Sequence, residues 1–89
     1  GPVALVRKLQ AELNGLGMES LFQDSPKDRE FGSLTLALTR EEFEQYRFEL
    51  RQLRKRMHKE AAVRREQAPG DRVYQINLQI FPITDSVDT

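Results

Sequence analysis

Cysteine is missing from this chain, and with it go disulfides, thiolate nucleophiles and cysteine-type zinc sites. Histidine occurs once, as His58, so no zinc site of the histidine type can be built from this chain alone. Excess charge is missing too. Fourteen basic and fourteen acidic residues cancel, which leaves the domain without bulk attraction for polyanions. No apolar run approaches the roughly 18 residues that a membrane-spanning helix needs, and no signal peptide is visible. No Ser-His-Asp order, phosphate-cradling glycine loop or paired-carboxylate spacing stands out. The expectation is a non-enzymatic protein with no catalytic residue, metal or cofactor and no membrane association. The lack of cysteine fits a reducing cytoplasm, the expected location.

What is present makes one small domain. The chain has 89 residues, 38% apolar and 31% charged, near the size at which a single core is only marginally sufficient. So lean a composition calls for a partner surface to finish the core. Gly1-Pro2 reads as a remnant of tag cleavage, residues 3–84 as a single domain and 85–89 as a frayed tail. On this reading the native chain continues upstream.

Val6, Leu9, Leu13 and Leu16 recur at helical spacing and predict a first helix. Gly15 and Gly17 read as its stop signals, with Leu21 and Phe22 able to prolong or restart it. The polar stretch QDSPKDRE (23–30) is a loop. FGSLTLALT follows, with Leu34, Leu36 and Leu38 alternating against Ser33, Thr35 and Ala37, the period of a strand. Thr39 and Glu42 then have the spacing of a capping box, and Leu38 and Phe43 that of a hydrophobic staple, which puts a helix start at Arg40. Phe43, Tyr46, Leu50, Leu53, Met57 and Ala61 form the apolar stripe of that long helix, and Pro69-Gly70 stops it. VYQINLQIFPIT (73–84) alternates again: Tyr74, Ile76, Leu78 and Ile80 share one side, Gln75, Asn77 and Gln79 the other.

The expected fold is α+β, an αβαβ chain with a strand–long helix–strand unit. The helix stripe would pack on a sheet face made of Leu34, Leu36, Leu38, Tyr74, Ile76, Leu78 and Ile80. A strand-helix-strand crossover makes the two strands parallel. Two such strands are a poor sheet by themselves, so a second chain is expected to complete it. The uncharged face of Gln75, Asn77 and Gln79 suits an interface, because each amide both donates and accepts. Phe48 falls opposite the stripe, where a side chain should be wet, and is the fourth candidate interface residue. The basic run RQLRKRMHKEAAVRR offers an alternative: a nucleic-acid-binding helix over 51–65, with Arg51, Arg54, Lys55, Arg56 and Lys59 as phosphate contacts. Glu49, Glu60 and Glu66 dilute that field and favour a solvated face. A small-ligand sensor, its effector against the amide face, is a further alternative.

REFGSLTLALT, the mid-helix RQLRKR and DRVYQINLQIFPIT resemble the C-terminal region of a bacterial family of unknown function. Its members look like helix-turn-helix transcriptional regulators, with the DNA-binding unit in an upstream domain. The resemblance implies no catalytic or cofactor residue. It implies a cytoplasmic regulator whose C-terminal domain dimerises, senses or recruits. The expected function is therefore a non-enzymatic dimerisation and regulatory domain of a bacterial transcription regulator. Such a domain would form a homodimer, take a protein partner or small effector, and reach DNA only through the missing upstream domain.

Overall fold

Two helices carry the structure, a computed structural model that describes residues 1–87. Helix α1 spans Pro2–Gln23 and helix α2 spans Arg40–Arg65, with a single 3₁₀ turn at Pro26–Asp28 between them. The chain divides into two compact units. One comprises Gly1–Leu36 with Gln75–Asn77, the other Ala37–Tyr74 with Leu78–Thr89.

α1 opens on Pro2, whose fixed φ and missing N–H suit the first helical position. It runs through Gly15 and Gly17, so neither glycine is the stop expected from the sequence. Both keep negative φ, and the nearest proline downstream is Pro26. Glycine in a helix interior costs about 1 kcal/mol against alanine, which lowers helix propensity without ending the helix. The helix ends where Asp24 turns extended: its N–H bonds the Ser20 carbonyl at 3.0 Å, and its carboxylate accepts from the Ser20 hydroxyl at 2.6 Å.

α2 starts at Arg40, as the capping box requires. Thr39 Oγ1 accepts from the Glu42 N–H at 3.1 Å, and Glu42 Oε1 accepts from the Thr39 N–H at 2.8 Å. Two otherwise orphan donors are thus satisfied reciprocally. Glu41 and Glu42 in the first turn and Arg64 and Arg65 in the last complement the helix dipole. The N–H groups of Gln67 and Ala68 close the far end on the Arg64 carbonyl.

The expected strands are not there. Among the described residues no strand or sheet occurs, and the fold is all-α rather than α+β. Residues 30–39 and 73–82 carry no regular structure. Alternation reports a backbone with two unlike faces. A strand additionally needs a neighbour for its N–H and C=O groups, and period two says nothing about one.

The expected sheet face fails with the sheet. Leu34, Leu36, Tyr74 and Ile76 are exposed, Leu78 lies at the edge of exposure, and only Leu38 and Ile80 are half-buried. The α2 stripe does better: Phe43, Leu50, Leu53 and Met57 are all half-buried, while Tyr46 and Ala61 are not. Leu38 and Phe43, the staple pair, are both on the covered side. No described residue is fully buried.

Candidate functional site

Asn77 is the residue of the amide face that meets the protein itself. Its Nδ2 donates to the Leu13 carbonyl at 3.0 Å, and its Oδ1 accepts from Gln75 Nε2 at 3.1 Å. A helix carbonyl has two lone pairs, so Leu13 can take this bond beside its own helical one. Gly17, one turn on, leaves the approach open. A Cβ there would lie 3.9 Å from Asn77 Nδ2 and 3.8 Å from the Phe31 ring. Leu13, Gly17 and Ser20, at i, i+4 and i+7, are the half-buried positions of α1. Gln75 and Gln79 stay exposed. The middle of the amide row is therefore inward and hydrogen-bonded, while Tyr74 and Ile76 face out, opposite to what alternation against a core implies.

Phe48 sits on α2 away from the stripe and is 56% exposed. Arg51, Lys55 and Lys59, three, seven and eleven residues on, share that wet side. Arg51, Arg54, Lys55, Arg56 and Lys59 are all exposed, and among the described residues only Arg56 of these is paired, with Glu60 at 3.4 Å. At the other end Glu44 holds Arg40 at 2.7 Å and Arg47 at 3.6 Å. Acidic side chains thus lead the helix and basic ones follow. Glu42 is held below its ordinary pKa, first by the bond from the Thr39 backbone and then by the Thr39 side chain.

Among the described residues no group of three or more Asp, Glu or His side chains could hold a metal ion. No helix of theirs is long and apolar enough to cross a membrane. A shallow hollow lined by Pro2, Val3, Val6 and Arg7 contains none of the amide residues.

Surface is what the chain has in excess. It exposes 8758 Å², whereas a folded monomer of this mass shows about 5,400 Å², and even two separate bodies of half the mass would show about 6,500 Å². The surplus is therefore roughly 2,000 Å² or more, however the units are counted. Much of it is apolar: Val73, Ile83 and Leu34 are 97%, 72% and 77% exposed. Sequence reasoning missed Leu13 and Gly17 as the seat of Asn77. A glycine one turn after a stripe leucine was the available signal.

Residues 1–83 match a protein family described as Domain of unknown function (DUF4423), and the chain belongs to that family. Neither a curated protein nor a solved structure matches it.

Proposed function

We propose that this member of the DUF4423 family is a non-enzymatic association domain that pairs with a second copy of itself. The observation that carries the reading is the surface surplus combined with the absence of any fully buried residue among the described residues. At about 25 cal/mol per Å² of apolar area, surface left in water is stabilisation forgone. Ordering the backbone costs on the order of 1–2 kcal/mol per residue. A chain with only half-buried apolar side chains offsets that poorly, and a twofold copy is the commonest way to cover the remainder. Counted per chain, the surplus exceeds the roughly 1,000 Å² that each partner of even a small obligate homodimer buries.

The setting of this pairing follows from the resemblance of REFGSLTLALT, RQLRKR and DRVYQINLQIFPIT to the C-terminal part of bacterial transcriptional regulators. In that setting the domain joins two copies of an upstream DNA-binding unit in the cytoplasm, and a protein partner or effector biases it only through the same pairing. Sedimentation equilibrium or light scattering at micromolar concentration should give twice the chain mass. A strictly monomeric chain that nevertheless melts cooperatively would refute the reading.

A further inference from the structure

The wet face of α2 carries a charge order that is its own complement. Glu41, Glu44, Phe48, Gln52, Lys55 and Lys59 follow one another at three- and four-residue spacing, so they lie along one side of the helix. All six are exposed. Read along the helix, that side runs acid, acid, aromatic, amide, base, base. Read backwards, every acid stands where a base stood. Among the described residues Glu41, Lys55 and Lys59 form no ion pair, and Glu44 is held only by the exposed Arg40 and Arg47.

We infer that α2 pairs antiparallel with α2 of a second copy across this face, with the twofold axis crossing between Phe48 and Gln52. Under that operation Glu41 meets Lys59 of the second copy, Glu44 meets its Lys55, and Phe48 lies over its Gln52. The twofold repeats each contact, so four ion pairs flank two phenylalanine rings. Helix axes packed in this way stand 8–10 Å apart, on the order of what long side chains span. The partner follows from charge. A polyanion such as nucleic acid would be drawn to Lys55 and Lys59 and repelled by Glu41 and Glu44. A chain of reversed charge order is attracted along the whole length, and an antiparallel copy is such a chain. Phe48 at the centre supplies the apolar contact that exposed ion pairs alone do not. Lys55 and Lys59 are thereby reassigned from phosphate contacts to contacts with a second copy.

This placement rests on the self-association proposed above, and charge exchange separates the two. One variant carries Glu41→Lys and Glu44→Lys, a second carries Lys55→Glu and Lys59→Glu. Each alone meets its own like charge across the twofold and should self-associate at least about tenfold more weakly than the wild type. Mixed in equal amounts they meet opposite charge everywhere and should recover the wild-type mass as a heterodimer. The single substitutions Glu41→Lys and Lys59→Glu repeat the test should a doubled variant lose helical circular dichroism. Variants that dimerise like the wild type overturn the helix pairing and leave self-association standing. So does a mixture that stays monomeric while both chains remain helical. A wild type that is itself monomeric removes both readings.

Discussion

Replacing Thr39 by alanine removes one arm of the capping box and leaves the other. The hydroxyl that accepts from the Glu42 N–H at 3.1 Å is lost, whereas Glu42 Oε1 can still accept from the residue-39 N–H at 2.8 Å. The site is exposed, so water takes up the freed donor and no buried orphan is created. The expected loss is therefore the ordinary one for an N-cap, about 1 kcal/mol. For a domain of this size that lowers the thermal midpoint by about 4–8 °C. Far-UV circular dichroism melts of wild type, Thr39→Ala and Thr39→Ser would measure it. All three need one protein concentration, since the proposed self-association would make the midpoint depend on concentration. Serine keeps the acceptor and should melt close to the wild type. An alanine variant with an unchanged midpoint, or a serine variant as weak as alanine, would refute the claim that the hydroxyl anchors α2.

The lowered pKa of Glu42 makes the same cap sensitive to acid. A depressed carboxyl contributes stability that is complete above its unfolded pKa and is lost as pH falls through its lowered folded value. Wild type should thus lose stability over that acidic window relative to Glu42→Gln, which titrates nothing there; parallel pH profiles would contradict it. Gly17→Ala should stabilise the chain by about 0.5–1 kcal/mol, because a Cβ meets the Phe31 ring at an ordinary 3.8 Å while the helix gains propensity. Gly17→Leu should instead destabilise by displacing Asn77 from the Leu13 carbonyl, and equal effects of the two substitutions in urea melts would disprove the packing. The chain by itself should not retard generic duplex DNA at physiological salt, given its zero net charge and the carboxylates along α2. A micromolar complex that fades with added salt would restore the nucleic-acid reading of Arg51–Lys59.

Local chemistry was legible, and non-local chemistry was not. Thr39 and Glu42 are three residues apart, so the cap and the start of α2 are written in adjacent positions. The half-burial of Phe43, Leu50, Leu53 and Met57 follows from a spacing visible within that helix. The end of α1 misled because glycine lowers helix propensity without forbidding the helix. The two alternating segments misled differently. Their period identifies an extended chain with unlike faces, but the partner that would make a strand is chosen by residues far away in sequence. Asn77 and the Leu13 carbonyl are 64 positions apart, and nothing around Asn77 announces that pairing. The same alternation that was expected to bury Tyr74 and Ile76 instead turns Asn77 inward.

The charge order of α2 has a simpler explanation that must be set beside helix pairing. Acids at the start of a helix and bases at its end complement the dipole of any helix, with or without a partner. That explanation accounts for Glu41, Glu42, Arg64 and Arg65, which occupy the first and last turns. It does not extend inward, because the dipole's influence falls off within a turn. Lys59 lies more than a turn from the end of α2, and Lys55 a full turn further inside. Nor does the dipole choose a side of the helix, whereas Glu41, Glu44, Lys55 and Lys59 share theirs with Phe48. An exposed aromatic residue flanked by opposite charges has no role in satisfying a single helix. It has one at the centre of a twofold contact, where the same side chain from both copies is withdrawn from water together.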